Sequence, residues 1–492
     1  MPPASRRTFL SSLAGGALTA ASPARKLNFV FILIDDMGWR DLGCFGSTFY
    51  ETPNIDRLAQ RGCRFTDFYV TSPVCSPTRA ALLTGRDPNR YNMRHIVNNG
   101  FADRNVKWPK YHHVPLAEPT IPRQLKKAGY RTAHIGKWHI SLFNFPGEPG
   151  PFEYGYDHYL LNAGPNQYRV VNPQEFVRNG ERLTECPLWT DELYVNEAIR
   201  FIDDNTNHPF ILHLCSHTPH TPEECADRFK QMYGELTDEE QTYYGCITQL
   251  DENLGRLFDF MESRDLLENT IVVFASDNGP IHPIFGAERH RRNGWANRGS
   301  AGPFSAGKLV IYDGGIRVPA IVSWPGVSKP GCVSSTPTSI LDFFPTFCNA
   351  TGVSLPKDLP FDGGDLCPAL EGKEIERPHS LYWQFDSAEN KNIRYRDGYY
   401  WSPSLAIRQG RWKLLSKEGF IDPELYNLEN DPGERWNLAE HHPDITERLL
   451  ADLRQLHTEI NRPTYGKSDY LNEAILKDDS LRSELNEKRG DE

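Results

Sequence analysis

The stretch that decides the fold is NFVFILIDD, Asn28 to Asp36. Six of its first seven residues are apolar and three are β-branched, which is typical of a strand buried on both faces of a parallel sheet. Four later runs repeat this character: YRTAHIG, PFILHLC, TIVVFAS and VPAIVSW. Helix-like segments separate them. We therefore predict an α/β fold in which a large domain has a mostly parallel central sheet flanked by helices.

The helices between these strands have recognisable ends. Residues 52–62, TPNIDRLAQRG, begin with Thr-Pro and end with Gly, and residues 120–129, TIPRQLKKAG, repeat that design. Thr237 and Glu240 form a capping-box pattern that opens a longer helix. These ends support the alternation of strands and helices.

The pattern changes after about residue 355. SLAIRQGRWKLLS predicts a β-hairpin, and PDITERLLADLRQLHTEI predicts an amphipathic helix. We therefore expect a small α+β C-terminal domain with an antiparallel sheet and one helix. The expected boundaries are 25–355 for the large domain, 356–463 for the small domain and 464–492 for a polar extension.

The first 24 residues are predicted to be an export signal. Arg6 and Arg7 precede the short apolar run FLSSLAGGALTAA, as in twin-arginine signals, although a disordered tail would also carry arginines. The run is too short to anchor the chain in a bilayer, and we predict no transmembrane segment elsewhere. This interpretation implies a bacterial protein that the twin-arginine translocase exports to the periplasm or beyond.

Composition limits the classes of partner. The 492 residues are enough for two or three domains, and the net charge of −11 argues against binding to nucleic acid or an anionic membrane. An anionic substrate stays possible, because a pocket can be locally positive. The ten cysteines show no zinc-binding spacing, so we expect mostly buried free thiols with room for one disulfide.

Functional side chains follow four of the apolar runs. In open parallel sheets, ligands bind outside the carboxyl ends of the strands. A single Asp at such a place is usually a helix cap or a turn residue, but that explanation weakens when four strand ends carry such groups. They are Asp35, Asp36, Lys137, His139, His217, His220, Asp277 and Asn278.

The acidic members of this set predict a cation. Three carboxylates and an amide oxygen cannot share a small space without one, because their charges repel. All of these donors are oxygen atoms, which favours Ca²⁺ or Mg²⁺ over zinc. The residues alone do not separate the two ions.

The stretch SPVCSPTRAALLTGR, residues 72–86, raises a question about Cys75. Ser76 is predicted to cap a helix that Gly85 ends, so Cys75 would lie just before a helix N-terminus, where an anion is favoured. Arg79 lies one turn further along. Local physics predicts an anion site with a reactive side chain. It leaves open whether Cys75 is a buried thiol, a nucleophile or a precursor.

CSPTR followed by AALLTGR resembles the signature of the type I sulfatases of the alkaline phosphatase superfamily, in which the cysteine is oxidised to formylglycine (3-oxoalanine). Further motifs occur in family order: LIDDMGWRDLGCFG, GKWH, HTPHTP, SDNG, GKLVIYDGGIRVP, RQGRWKLL and ELYNLENDPGERWNLA. The resemblance covers nearly the whole chain after the signal. It implies an arylsulfatase- or N-acetylgalactosamine-6-sulfatase-like enzyme with an alkaline phosphatase-like fold.

The resemblance also implies roles for individual residues. The cation, Ca²⁺ more often than Mg²⁺ in this family, would be bound by Asp35, Asp36, Asp277, Asn278 and the formylglycine at Cys75. The sulfate would be surrounded by Arg79, Lys137, His139, His220 and Lys308. His217 is an additional candidate for substrate binding, with a structural histidine as the alternative.

The implied reaction uses both hydroxyls of the formylglycine hydrate. One would attack sulfur, His220 with Lys308 nearby would protonate the leaving oxygen, and His139 would take the proton of the second hydroxyl so that sulfate is expelled. A formylglycine-generating enzyme is the implied maturation partner. Two alternative functions are a formylglycine-dependent phosphonate monoester hydrolase or phosphodiesterase, and a non-catalytic protein that binds sulfated glycans.

The expected substrate is a sulfated carbohydrate or a small sulfate ester. Two polar, aromatic segments are candidates for contact with sugar: Arg90–Pro115 and Glu288–Lys308. In the second, Trp295 could stack on a sugar ring, while Arg291 and Arg298 could meet further sulfates. A solvated loop is the simpler alternative for both segments.

Overall fold

The structure is a computed structural model. It describes residues 26–97, 113–143, 148–164, 168–281, 299–385, 393–395, 398–400, 402–462 and 464. The predicted export signal and residues 465–492 lie outside the described residues.

Eighteen strands occur in the described residues. They are β1 Asn28–Ile34, β2 Cys63–Phe65, β3 Phe68–Tyr69, β4 Arg131–Gly136, β5 His158–Asn162, β6 Phe176–Arg178, β7 Glu181–Arg182, β8 Phe210–Cys215, β9 Thr270–Ser276, β10 Ala320–Ser323, β11 Cys332–Ser334, β12 Thr338–Ser339, β13 Leu381–Gln384, β14 Ile393–Tyr395, β15 Gly398–Tyr400, β16 Leu405–Gln409, β17 Trp412–Lys417 and β18 Ile421–Asn427.

The same described ranges contain nine α-helices. They are α1 Pro53–Arg61, α2 Cys75–Thr84, α3 Ile121–Lys126, α4 Thr190–Asp204, α5 Asp227–Gln231, α6 Asp238–Ser263, α7 Asp313–Ile316, α8 Phe343–Thr351 and α9 Pro443–Ile460. Within the described ranges, none of these helices has the length and apolar character that a membrane crossing requires.

The main sheet has ten strands in the order β11-β2-β10-β9-β1-β8-β4-β5-β6-β7. Its centre, from β9 to β5, is parallel, as the apolar runs predict. The run VPAIVSW forms β10, which is antiparallel to both of its neighbours. The sheet is therefore parallel at its centre and mixed at its edges, and the α/β prediction is confirmed.

Strand β1 is buried on both faces, and its side chains alternate between two cores. Phe29, Phe31 and Leu33 pack with α2, α3 and α8, whereas the alternating residues of β1 pack with α1, α4 and α6 on the other face. This period of two is the geometry of any strand. The NFVFILI run thus joins the two helical layers of the large domain.

Most predicted helix ends agree with the structure. The capping box of Thr237 and Glu240 opens α6. Helix α3 ends at Lys126, before Gly129. Helix α2 includes Cys75 as its first residue, so Ser76 is not its cap. The Ser76 hydroxyl lies inside the helix and accepts a hydrogen bond from the Val97 N–H, 21 residues away in the chain.

The predicted α+β region is present as a four-stranded antiparallel sheet, β13-β16-β17-β18, with α9 on one face. We call this unit the small domain. Leu414 of β17 packs with α9, while its neighbour Leu415 belongs to the core that contains Phe31. The second face of this sheet therefore packs directly on the large domain.

One disulfide joins two neighbouring strands at the edge of the main sheet. Cys63 of β2 and Cys332 of β11 are partners in the parallel register, and their sulfur atoms are bonded. The other eight cysteines are free, and most of them are buried. This agrees with the expectation of mostly free thiols and one disulfide.

Candidate active site

The ends of β1 and β9 bring four site residues together. The two strands are parallel and in register, with Ile34 opposite Ser276. Asp35 and Asp36 therefore emerge beside Asp277 and Asn278, and the Asp36 N–H donates to Asp277 Oδ1 at 3.3 Å. One ligand atom each from the three aspartates and Cys75 lies within 4.8 Å of the others. The parallel register is the cause of this convergence.

Cys75 lies at the first turn of α2 and is 1% exposed. Its Sγ is 3.4 Å from Asp35 Oδ1, 3.5 Å from Lys137 Nζ and 3.8 Å from Lys308 Nζ. Burial, assisted by the charge of Asp35, raises the pKa of the thiol far above its ordinary value. The thiol is therefore protonated at neutral pH, unlike an activated cysteine nucleophile, whose pKa is lowered.

Arg79 forms a buried ion pair with Asp277. Its Nε and Nη2 donate to Asp277 Oδ2 at 2.9 and 2.6 Å, and its Nη1 donates to the Lys137 carbonyl at 3.0 Å. Because α2 carries both Cys75 and Arg79, one helix brings the thiol and this cation to the strand ends.

Two lysines pair with the remaining carboxylates. Lys137 Nζ donates to Asp35 Oδ2 at 2.5 Å, and Lys308 Nζ donates to both oxygens of Asp36 at 2.6 and 2.7 Å. Burial alone would lower the pKa of the Lys308 ammonium, but Asp36 raises it above its ordinary value. Each aspartate thus has its own cationic partner.

The carboxylates nevertheless crowd one another. Burial would raise the pKa of Asp35, but the charge of Lys137 holds it well below its ordinary value. Burial and the negative charge of Asp35 raise the pKa of Asp277 to about 7. Repulsion between the two groups therefore persists despite their cationic partners.

The oxygen donors fit a divalent cation. Asn278 is fully buried and donates its Nδ2 to Asp36 Oδ1 at 2.7 Å, yet its Oδ1 has no hydrogen-bond partner among the described residues. A buried carbonyl oxygen without a partner is costly, and a cation bound by it and the neighbouring carboxylates would satisfy it. The donor set is that of Ca²⁺ or Mg²⁺.

His139 is held in one tautomer. It has a left-handed backbone, with φ of 56°, and its Nε2 lies 2.9 Å from the Val97 carbonyl, to which it must donate. Its Nδ1 is buried and has no partner within the described part of the chain. Burial and the charge of Lys137 lower its pKa well below the ordinary value. A neutral imidazole with a lone pair on Nδ1 results.

The two other histidines differ in their surroundings. His220 places Nε2 3.7 Å from Asp36 Oδ2, while its Nδ1 donates to the Thr221 carbonyl at 2.7 Å. Burial and the charge of Lys308 lower its pKa. The His217 ring is buried and stacks on Tyr194, with centroids 6.1 Å apart. His220 therefore contacts the carboxylate cluster directly, whereas His217 packs against Tyr194.

Segment 95–97 belongs to the predicted sugar-contact segment Arg90–Pro115, but its contacts with the catalytic residues were not predicted from the sequence. Val97 binds both Ser76 and His139, which fixes this segment beside the start of α2. No sequence signal predicts these contacts, because they depend on tertiary packing. Trp295, Arg298 and Arg291 lie outside the described residues.

Known proteins are similar to this chain in sequence and in fold. A family model described as Sulfatase matches residues 27–353, and one described as N-sulphoglucosamine sulphohydrolase, C-terminal, matches residues 303–459. N-acetylgalactosamine-6-sulfatase from Homo sapiens is 30% identical, over 94% of this chain and 90% of that protein. Arylsulfatase A from Homo sapiens is 32% identical, over 92% of this chain and 90% of that protein.

A solved structure extends the likeness to three dimensions. The crystal structure of Ps i-CgsB superposes with a TM-score of 0.75 at 28% identity, covering 94% of this chain and 99% of that one. Ps i-CgsB has also been solved in complex with k-i-k-neocarrahexaose.

Removal of the buried arginine tests the electrostatics of the site. We expect Arg79→Ala to lower the unfolding free energy of the metal-free protein by about 3–5 kcal/mol, because it leaves Asp277 buried without its cation. Arg57→Ala is the control, since Arg57 and Asp259 are also 2.6 Å apart but largely exposed. That change should cost at most about 1 kcal/mol. Urea denaturation measures both, and equal losses would contradict the role assigned to burial.

Proposed function

The chain belongs to the sulfatase family and hydrolyses sulfate esters, and we propose that it acts on a sulfated carbohydrate through a formylglycine made from Cys75 and a divalent cation bound beside it. The observation that carries this proposal is the convergence of Cys75 with Asp35, Asp36 and Asp277 within 4.8 Å. A cluster of side chains suited to a metal ion thus includes the residue that carries the modification motif.

The protonation state of Cys75 supports its role as a precursor. A thiol with a raised pKa is a poor nucleophile, so the unmodified side chain does not explain sulfate ester hydrolysis. The hydrate of formylglycine supplies two hydroxyls, one to accept the sulfate and one through which sulfate is released. Because Cys75 is 1% exposed in the folded chain, a maturation enzyme must reach it before folding is complete.

The cation would be held by Asp35, Asp36, Asp277 and the Oδ1 of Asn278. When bound, it offsets the charge of the sulfate and activates an adjacent hydroxyl. We propose Ca²⁺, with Mg²⁺ as the alternative, because the resemblance to the sulfatases implies Ca²⁺ more often, while the oxygen donors by themselves fit either ion.

Three cationic side chains surround Cys75 and stabilise the negative charge of the sulfate. Lys137 and Lys308 lie within 3.8 Å of its Sγ, and Arg79 is bound one turn further along α2. As charge shifts to the leaving oxygen, fixed donors of this kind stabilise the transition state more than the substrate. Each one typically contributes about 3 kcal/mol.

Proton transfers are assigned from tautomers and charge. His139 is neutral and carries its lone pair on Nδ1, so it can act as the base. His220 donates from Nδ1 to a backbone carbonyl, so its Nε2 can donate only after the ring is protonated. Lys308 is charged and close by. Because the lowered pKa of His220 disfavours its protonated ring, we propose that the proton for the leaving oxygen comes from the charged Lys308, with His220 beside it.

Export is part of the proposal. Arg6 and Arg7 indicate the twin-arginine translocase, and the Cys63–Cys332 disulfide is of the kind that persists in oxidising compartments. We place the enzyme in the bacterial periplasm or outside the cell, where sulfated polysaccharides are available for desulfation.

The carbohydrate assignment draws on relatives and on the rim of the site. The similar proteins include one named N-acetylgalactosamine-6-sulfatase and one solved in complex with k-i-k-neocarrahexaose. At the rim, the exposed His95 ring stacks on Phe385, with centroids 5.6 Å apart. Its Nδ1 accepts the Ile96 N–H, so Nε2 carries a hydrogen that can be donated to a sugar.

Modification of Cys75 is tested first. We expect Cys75→Ala to fold normally and to lose turnover of an aryl sulfate, whereas Cys367→Ser, at a half-buried free cysteine, should retain it. Mass spectrometry of the wild-type peptide should show an aldehyde in place of the thiol. Turnover by Cys75→Ala would refute the proposal. Faster turnover of an aryl phosphodiester than of the sulfate would favour the related hydrolase, and an unmodified thiol in protein from a maturation-competent host would favour a binding protein.

The cation is tested by thermal unfolding. We expect a chelator to remove turnover and lower the melting temperature, and Ca²⁺ at about 100 times its dissociation constant to restore about 2.7 kcal/mol of stability. Asp277→Ala should not respond to added ion, because a ligand is missing. Parallel titration with Mg²⁺ ranks the two ions. An equal response of wild type and variant would exclude the assigned ligands.

Substrate class is tested with defined sulfated mono- and oligosaccharides. We expect His95→Ala to raise KM for the best saccharide up to about tenfold, the value of one hydrogen bond, and to leave an aryl sulfate unaffected. His208→Ala is the matched control. This exposed histidine precedes β8, so it lies at the amino ends of the parallel strands, whereas the site lies at their carboxyl ends. If the ranking of saccharides is the same in all three proteins, His95 does not contribute to specificity.

A further inference from the structure

We infer that Lys413 and Glu434 of the small domain are positioning residues that hold Lys308 in the active site. The inference rests on the proposed role of Lys308, and it concerns the segment that carries this lysine, residues 303–313, which we call the lysine loop. No part of the proposed reaction involves the small domain directly. Its contribution is the placement of this loop.

The lysine loop is tied to the large domain at its middle. The Lys308 N–H donates to the Pro280 carbonyl at 2.8 Å, and the Leu309 N–H donates to the Pro73 carbonyl at 3.0 Å. Pro280 follows the Asp277–Gly279 strand end, and Pro73 precedes Cys75. Both bonds therefore fix the lysine between the two parts of the site that it must reach.

The backbone of the lysine loop is strained. Ala306 and Leu309 adopt φ values of 63° and 76°, in the left-handed region that side chains with a Cβ rarely occupy. Such conformations persist only where surrounding contacts impose them. The two residues flank Lys308, so the position of its side chain depends on contacts that keep the loop from relaxing.

The small domain supplies contacts of this kind at the end of the loop. Glu434 Oε2 accepts the Asp313 N–H at 2.7 Å, and Lys413 Nζ donates to the Ile311 carbonyl at 2.9 Å. The Ser305 hydroxyl also donates to a small-domain carbonyl. The small domain thus binds the loop on both sides of the strained residues, through the Ser305 side chain on one side and through backbone groups of Ile311 and Asp313 on the other.

The residues that make these contacts form one buried ion cluster. Lys413 Nζ lies 2.8 Å from both Asp313 Oδ1 and Glu434 Oε1, and all three side chains are fully buried. Lys413 alternates with Leu414 along β17, so it lies on the face that packs against the large domain.

A buried ion cluster is a poor means of stabilising an interface, since apolar residues of similar volume often do as well. Its directional bonds to particular backbone atoms, however, have an effect beyond stability. They fix where residues 311 and 313 lie, which an apolar contact would not do. We therefore attribute to the cluster the positioning of the lysine loop and not merely the stabilisation of the interface between the domains.

The test compares Lys413→Met and Glu434→Gln with a destabilised control. Each variant should lower kcat for an aryl sulfate about 10- to 100-fold, the usual result of a small misplacement of a reacting group. The control is Leu449→Ala, which opens a cavity under α9, on the face of the sheet away from the lysine loop. It should melt earlier but keep the wild-type kcat below its melting temperature. A similar loss of kcat in the control would overturn the inference.

Action through Lys308 is tested in the Lys308→Ala background. If Lys413 and Glu434 work by placing this lysine, adding either substitution to Lys308→Ala should change the residual kcat by no more than about twofold. A further loss as large as in wild type would overturn the inference, because the cluster would then act by another route.

Chemical labelling separates the positioning from the chemistry. The Lys308 side chain is 12% exposed and bound to Asp36, so it should react slowly with an amine-acylating reagent. Lys413→Met and Glu434→Gln should accelerate the labelling of Lys308, which mass spectrometry measures. This result is expected even if Lys308→Ala retains activity, in which case only the proposed catalytic role of Lys308 fails. Unchanged labelling in both variants would overturn the positioning.

Tyr312→Phe is a milder substitution that tests the inference if Lys413→Met and Glu434→Gln fail to fold. It removes the hydroxyl that donates a hydrogen bond of 2.7 Å to Glu424 of the small domain, and it keeps the ring. It should shift kcat and labelling in the same direction by a smaller amount. No shift in either quantity would count against the inference.

Discussion

Three carboxylates that are nearly excluded from water are the constraint on which the site depends. Asp35, Asp36 and Asp277 are at most 3% exposed, and they converge because β1 and β9 are parallel and in register. Charges this close require compensation, which comes from Arg79, Lys137 and Lys308. These cations belong to three separate segments, so the fold must bring α2, the end of β4 and the lysine loop to one edge of the sheet.

Much of this arrangement was predictable from the sequence, because it follows from local rules. An apolar run that ends in Asp-Asp predicts a buried strand with polar groups at its carboxyl end, and a sheet collects such ends at one edge. The antiparallel orientation of β10 was harder to predict, because the apolar pattern of a strand is the same in either orientation. The contacts of Ser76 and Lys413 could not be predicted, since each depends on a partner far away in the chain.

The start of α2 shows how a small difference in structure changes the chemistry. Cys75 is the first residue of the helix and not the residue before it, so its thiol is buried among charges that keep it protonated. A low-pKa cysteine needs an electropositive, accessible setting, and here burial and Asp35 outweigh the neighbouring lysines. The same closed setting is consistent with the modification that we propose for Cys75, since a buried residue would be modified before folding is complete.

The division into a large and a small domain is clear in topology but not in packing. Phe31, at the centre of the main sheet, and Leu415, of the small-domain sheet, belong to one continuous apolar core. Separate folding units would leave this face of the small sheet exposed. The shared core fixes the distance between the two sheets, and the directional bonds of Lys413 act within that fixed distance. Nonspecific packing brings the sheets together, and the ion cluster then selects a single position for the lysine loop.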